Sequence, residues 1–124
     1  FVSVKGGQAI RDGNGLGIDG HGSPRVELGE ALAIRFQSDV LIESIGISAG
    51  IGGSCGGSYR MGKRAPLAIY CMDADQDAKD QTGIISDLGI LKKGEMLVLD
   101  PKPHFGVESP GSWKLQSLVV RPVP

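Results

Sequence analysis

The chain has 124 residues, a formal net charge of −1 and a pI near 6.1. This length suits one domain with a hydrophobic core. The near-neutral charge argues against a protein that binds nucleic acid by neutralising its phosphates, and against a polybasic protein that binds a membrane surface. No apolar run approaches the roughly 20 residues of a spanning helix, so we expect no membrane insertion. The sequence begins at Phe1 without a recognisable signal peptide, which we interpret as a mature form or a piece of a longer chain with neighbouring domains.

Twenty glycines and seven prolines separate short stretches of Val, Ile and Leu. This composition is typical of an all-β domain with many turns. Val2 and Val4 lie on one face of a predicted first strand. Residues 11–24 have glycine at nearly every second position, which predicts a long loop with a short extended piece at residues 16–18.

Residues 25–36 carry the clearest strand pattern, because apolar side chains alternate there with polar ones. Glu30 has the parity of the apolar face and is the exception. Gly29 beside it predicts a bend or a bulge that divides the segment into two strands or kinks one. The apolar residues of shared parity are Val26, Leu28, Leu32, Ile34 and Phe36.

Residues 40–48 predict another strand, in which the apolar parity changes partway along. Val40 and Ile42 share one parity, whereas Ile45 and Ile47 share the other. The change predicts a bulge or turn near Glu43 and Ser44. Residues 49–64 then predict a long loop, first glycine-rich and then basic.

The second half of the chain predicts further short strands. Residues 65–72 place Leu67, Ile69 and Cys71 on one face, and two strands flank a turn at residues 91–94. In the last predicted strand, Trp113, Leu115 and Val119 lie on one face. About eight to ten strands predict a single all-β domain over residues 1–124, an antiparallel two-sheet sandwich of jelly-roll type.

The order of these segments resembles a known family. GLGIDG precedes VELGEALAIRF and VLIESIGIS, and LGILKKGEMLVLD and WKLQSLVVRPVP follow. The sequence is similar to small exported bacterial β-sandwich modules that precede PEP-CTERM-type sorting signals. The resemblance implies a jelly-roll-like sandwich that is secreted or held at the bacterial cell surface or matrix, and it implies no assigned activity. The sorting helix itself is not in the sequence.

Cys55 and Cys71 are the two cysteines of the chain. In an oxidising compartment we expect them to form a disulfide, which would stabilise the fold by about 3 kcal/mol in the chain-entropy model. The alternative is two reduced, buried cysteines that act as small apolar residues.

The segment DADQDAKD, residues 73–80, predicts a calcium site, because alternating carboxylates can converge on one ion. An EF-hand is excluded, since Ala78 replaces the glycine of position six and Ile84 replaces the glutamate of position twelve. The alternative is a solvated acidic turn facing the basic residues Arg60, Lys63 and Arg64. The predicted ligands are Asp73, Asp75, Asp77 and Asp80.

A second, weaker calcium candidate uses Asp12, Asn14 and Asp19, with glycine-driven turns as the alternative. We therefore predict no cofactor other than calcium.

Sugar binding needs exposed aromatic faces with a few polar groups beside them. Tyr59, Phe105 and Trp113 lie in or next to predicted loops and are candidates for such a platform, with Arg60 and His104 as polar contacts. For Trp113 the alternative is a side chain that fills the core.

Catalysis has weak support in the sequence. Neither a G-x-S-x-G motif nor a phosphate-binding glycine loop is present, and paired carboxylates cannot be identified without distances. We therefore predict a non-catalytic binding module of an exported protein, with polysaccharide as the ligand. The alternative is a purely structural or protein-interaction module, and an enzyme ranks third. The candidate carboxylates for catalysis are Glu27, Glu30, Glu43, Glu95 and Glu108.

Overall fold

The computed structural model describes residues 2–5, 8–12, 15–19, 26, 29–48, 56–69, 82–102 and 111–123. These residues form ten strands and no helix, so the described chain holds no helix with the length and apolar character to cross a bilayer. The strands are β1 Val2–Lys5, β2 Gln8–Asp12, β3 Gly15–Asp19, β4 Ala31–Ile34, β5 Val40–Ser48, β6 Ser58–Met61, β7 Leu67–Ala68, β8 Thr82–Leu91, β9 Leu97–Asp100 and β10 Lys114–Pro122.

The strands form two antiparallel sheets that are not closed into a barrel. Sheet 1 has the order β1-β4-β9-β6-β7, and sheet 2 has the order β2-β3-β10-β5-β8. Strands β3 to β10 alternate between the sheets except at the β6–β7 pair, which is the connectivity of an eight-stranded jelly roll. Strands β1 and β2 each extend one sheet. The predicted all-β jelly-roll-like sandwich is therefore confirmed.

The core lies between the sheets and is built from the alternating apolar residues of both. Residues of one parity in β4 and β9 point inward from sheet 1, and β5 supplies most of the inward residues of sheet 2. Burying each of these large side chains contributes about 1.5–3 kcal/mol relative to leaving it exposed. The buried apolar residues are Val26, Leu32, Ile34, Val40, Ile42, Ile45, Ile47, Tyr59, Met61, Ile69, Leu91, Leu97, Leu99, Trp113 and Leu115.

Both predicted irregularities of the first strands are present. Gly29 adopts a left-handed backbone (φ 92°) in a turn, so the segment splits into an isolated bridge at Val26 and strand β4. In β5, Glu43 is an extra residue relative to β10, because Ile42 lies opposite Val120 and Ser44 lies opposite Val119. This bulge at Glu43 returns the later isoleucines to the core, as the change of parity predicted.

The glycine-rich segment after β1 differs from its prediction. Residues 11–24 are not one long loop, because residues 8–12 and 15–19 pair as antiparallel strands β2 and β3. Pairing satisfies the backbone groups that a loop would leave to water, and this outweighs the poor strand propensity of glycine.

The same pairing overturns the weaker calcium candidate. Asp12 lies opposite Gly15 and Asp19 opposite Gln8, at the two ends of the paired segment. At 3.3 Å per residue their backbones are about 13 Å apart along the strands. One ion cannot be shared across that distance, so the assignment of Asp12 and Asp19 to one site is wrong.

Two further strand predictions need correction. Residues 58–61, predicted as loop, form β6 and pair with β9. In β10 a register shift between Leu115 and Ser117 reverses the parity of the residues that follow. Val119 is therefore 44% exposed instead of buried with Trp113 and Leu115, and Leu118 packs against the core in its place.

Candidate functional site

Strands β7 and β8 are the last strands of their sheets, and a cleft opens between them at the edge of the sandwich. Tyr59 of β6 lies directly opposite Leu67 of β7, so both side chains lie on the inner face of sheet 1. Tyr59 is almost buried, whereas Leu67 is 55% exposed because β7 borders the opening. The sheet edge thus presents an apolar side chain beside an aromatic one.

The basic turn after β6 carries an arginine across the opening. Gly62 adopts φ 59°, and the Arg64 amide donates to the Met61 carbonyl at 3.1 Å, which closes the turn. The Arg64 guanidinium then donates through Nη2 to the Ile90 carbonyl of β8 at 3.1 Å. The side chain of Arg64, which follows a strand of sheet 1, therefore forms a hydrogen bond with the backbone of sheet 2.

An irregular stretch of β8 supplies the opposite wall. Asp87 and Leu88 together lie opposite Glu43 of β5, so β8 bulges at this point. Asp87 has φ 60°, a left-handed conformation that aspartate tolerates better than most residues, and Gly89 has φ 95°. The Arg64 guanidinium passes beside this glycine, with Nη1 3.6 Å from the position that a Cβ would occupy.

These residues define the edge cleft, an opening with a volume of about 80 Å³. Its inner part is apolar and its rim carries one cation and one carboxylate. Arg64 offers hydrogen-bond donors, Asp87 offers acceptors, and Leu67 offers an apolar surface. The lining residues are Tyr59, Met61, Arg64, Ala65, Leu67, Asp87 and Leu88.

The described residues of the predicted aromatic platform do not lie together. Tyr59 lines the edge cleft, and Arg60 is exposed on β6, where its neighbour across the sheet is Val98. Because successive strand residues point to opposite faces, Arg60 lies on the outer face, away from Tyr59. His104 and Phe105 lie outside the described residues, and their roles stay predictions.

Trp113 is not a platform residue, because its side chain is fully buried. Its indole Nε1–H donates to the Gly56 carbonyl at 2.8 Å, and its backbone forms an isolated bridge with Val26. A ring that packs on all sides offers no face to a ligand. The prediction of Trp113 as a ligand-binding residue is therefore wrong, and the alternative of a core residue is correct.

The predicted metal and disulfide residues lie outside the described chain. Calcium binding and disulfide formation therefore both stay predictions. Among the residues that the structure does describe, no group of three or more acidic, histidine or cysteine side chains is placed to hold a metal ion. The residues concerned are Asp73, Asp75, Asp77 and Asp80 for calcium, and Cys55 and Cys71 for the disulfide.

The described glutamates occupy three different settings. Glu30 is buried just before β4, as its parity implied. Glu43 forms an ion pair with Arg121 of β10 at 2.6 Å, and Glu95 accepts the Lys92 backbone N–H at 2.9 Å. None of these three lines the edge cleft. Glu27 and Glu108 lie outside the described residues.

Sequence reasoning missed the contribution of β8 to the cleft. Asp87 is followed closely by Gly89 in an otherwise apolar strand, and a glycine inside a strand is typical of a bulge. That pattern could have located the irregularity. It could not have placed Arg64 beside Ile90, because 26 residues separate them.

The fold defines the chain as a jelly-roll β-sandwich with a cleft at its open edge. No protein-family model matches the chain, and neither a curated protein nor a solved structure matches it.

Proposed function

We propose that the chain is a non-catalytic carbohydrate-binding module of an exported bacterial protein, which binds polysaccharide in the edge cleft. The observation that supports this most is the rim of the cleft, where Arg64, Leu67 and Asp87 surround one opening. A sugar presents hydroxyl groups around an apolar ring face. It needs donors, acceptors and a small apolar surface together.

The setting proposed for this module is the bacterial cell surface or the extracellular matrix, as part of a longer chain. The family resemblance of the strand segments supports it. In that setting neighbouring domains carry any enzymatic activity, and the sandwich holds them to a polysaccharide. Many such modules bind weakly, so several copies on one surface would raise the overall affinity.

A pair of matched substitutions tests the site. Leu67 and Ile84 are both exposed strand residues, at 55% and 63%, but only Leu67 lines the edge cleft. In affinity electrophoresis with polysaccharides cast into the gel, we expect Leu67→Ser to lose at least about fivefold in binding, since the apolar contact is removed. Ile84→Ser should migrate like the unmodified protein. Equal retardation of both variants, or no retardation by any polysaccharide, would contradict the proposal.

The alternative function is a protein-interaction module, and a different surface favours it. Ile84, Ile90 and Val119 are 63%, 43% and 44% exposed on the outer face of sheet 2. Several exposed apolar side chains on one face of a sheet are compatible with a protein interface. If Ile84→Ser, and not Leu67→Ser, changes the behaviour of the chain in binding assays, this alternative replaces the sugar proposal.

Calcium binding at Asp73, Asp75, Asp77 and Asp80 remains part of the proposal. Their alternating spacing supports it. A ligand that binds only the folded state raises its stability, so we expect a higher melting temperature in calcium than in EDTA. The double variant Asp75→Asn and Asp77→Asn should abolish the difference. Equal melting temperatures of the unmodified protein in the two buffers would remove the site.

A further inference from the structure

We propose that the edge cleft selects polysaccharides that carry uronic acids over neutral ones, with the sugar carboxylate bound by Arg64. This inference rests on the proposed function and adds the chemical class of the ligand. It depends on two features of the cleft: the hydrogen bond that places the Arg64 guanidinium, and the presence of a donor, Arg64, and an acceptor, Asp87, in the same lining.

The charges of the described rim are balanced. Arg64 and Asp87 both line the cleft. Lys63 is exposed in the basic turn, and the Glu95 carboxylate lies close to Gly62 of the same turn. The preference for uronic acids is therefore assigned to the directed hydrogen bonds of Arg64 and not to an excess of positive charge.

The Arg64 guanidinium is held in place before any ligand binds. Its bond to the Ile90 carbonyl uses one of five N–H groups, and Ile90 is its hydrogen-bond partner within the described residues. Within the described part of the chain, its other N–H groups are left for a ligand. A fixed guanidinium loses little conformational freedom on binding, and it forms paired hydrogen bonds with a carboxylate that a neutral sugar cannot match.

Asp87 gives the ligand an orientation. Its carboxylate repels the acid group of a uronic sugar and accepts hydrogen bonds from hydroxyl groups. The sugar carboxylate is therefore directed to Arg64 and a hydroxyl edge to Asp87, with the ring against Leu67. Asp87 has a left-handed backbone conformation two residues before Gly89, so the fold sets the point at which its side chain leaves β8.

The test compares four polymers by isothermal titration: polygalacturonate, its fully methyl-esterified form, dextran and dextran sulfate. We expect polygalacturonate to bind at least about tenfold more tightly than the ester, because esterification removes the carboxylate and keeps the rings. Arg64→Gln should reduce this preference to about twofold, and Arg64→Lys, which keeps charge without the planar donor pair, should give an intermediate value.

Arg121→Gln is the matched control, since Arg121 is an exposed arginine on the outer face of sheet 2 and its loss changes the net charge equally. It should leave the preference unchanged. Equal effects of Arg64→Gln and Arg121→Gln would show attraction by overall charge and overturn the inference, as would equally tight binding of dextran sulfate.

Failure of the inference and failure of the proposed function give different results. If the ester and polygalacturonate bind equally and Leu67→Ser weakens both, the cleft binds sugars but does not select uronic acids. If none of the polymers binds, both proposals fall. A cooperative thermal transition for each variant shows that the binding data refer to folded protein.

Discussion

At the scale of single residues, Trp113 connects the closing strand to two distant parts of the chain. Its backbone pairs with Val26, and its indole N–H donates to the Gly56 carbonyl. Gly111 lies so close that an added Cβ would meet both the Gly56 carbonyl and the indole nitrogen. The backbone of Trp113 therefore holds the segment at Val26, and its side chain packs the segments at Gly56 and Gly111.

Replacing Trp113 with phenylalanine should destabilise the protein by about 2–4 kcal/mol. The smaller ring leaves a cavity, and the buried Gly56 carbonyl loses its donor. Urea unfolding followed by far-UV circular dichroism measures the change. Val119→Ala, in the same strand but 44% exposed, is the control and should cost under about 0.5 kcal/mol. Similar losses for both variants would contradict the role given to Trp113.

The sequence predicted individual residues well where parity alone decides burial. Leu32 and Ile34 are buried as their alternation indicates, and Glu30 is buried because it shares their parity. Trp113 could not be assigned in this way, because it begins a strand next to a loop and both core and surface positions fit. The burial predicted for Val119 was wrong, because the bulge between Leu115 and Ser117 is not visible in the sequence pattern.

At the scale of elements, the turn between β8 and β9 shows how one glycine directs the chain between sheets. The Glu95 amide donates to the Lys92 carbonyl at 2.9 Å, and Gly94 in the third position has φ 81°, as type II turns require. Type II turns splay the strands that flank them. Here β8 and β9 belong to different sheets, so splaying is what the fold needs.

Gly94→Ala should therefore cost about 1–2 kcal/mol, because a Cβ is disfavoured in the left-handed region. Gly94→Asn should cost less than half as much, since asparagine tolerates that conformation. No heavy atom lies within 4 Å of the position of an added Cβ, so a clash does not complicate the comparison. Urea unfolding monitored by Trp113 fluorescence gives both values, and equal costs for Ala and Asn would count against a backbone origin.

Elements with apolar alternation were predictable, and elements inside glycine-rich segments were not. Strands β4, β5, β9 and β10 follow from their period of two. The end of β2, strand β3 and strand β6 lie in segments predicted as loops, because glycine is frequent around them and has low strand propensity. Their pairing depends on neighbours supplied by tertiary structure, such as β10 beside β3 and β9 beside β6.

At the scale of the whole molecule, sheet 2 is completed from both ends of the chain. Strand β10 lies between β3 and β5, with Leu115 opposite both Leu16 and Ile47. Strand β1, in contrast, is an edge strand of sheet 1 and pairs only with β4 within the described residues. Removal of β10 would therefore leave two neighbouring strands without a partner on one side, whereas removal of β1 would affect only β4 in this way.

Deleting residues 114–124 should abolish cooperative unfolding, because β10 supplies pairing on both sides and covers the core. Deleting residues 1–6 should lower the melting temperature but leave a cooperative transition, since one neighbour and one sheet edge are affected. The single tryptophan reports both outcomes, because Trp113 is fully buried in the folded state and its emission shifts to the red on exposure. Cooperative unfolding of the shorter C-terminal form would contradict the central position given to β10.

The edge cleft is a property of the whole fold, which explains why the sequence could not reveal it. Tyr59, Leu67 and Arg64 are close in the chain, but Asp87 and Leu88 join them only because β7 and β8 end their sheets on the same side. The jelly-roll class was predictable from strand number and turn spacing. The order of the strands within each sheet, and hence the composition of the cleft, was not.

The bond from Arg64 to the Ile90 carbonyl also bears on the solubility of the protein. An edge strand exposes backbone groups that a strand from another molecule can join, which leads to edge-to-edge aggregation. At Ile90 the acceptor is occupied, and the left-handed residues at Asp87 and Gly89 interrupt the regular path of the strand. The arginine proposed to bind the ligand therefore also protects this end of β8 from recruiting a foreign chain.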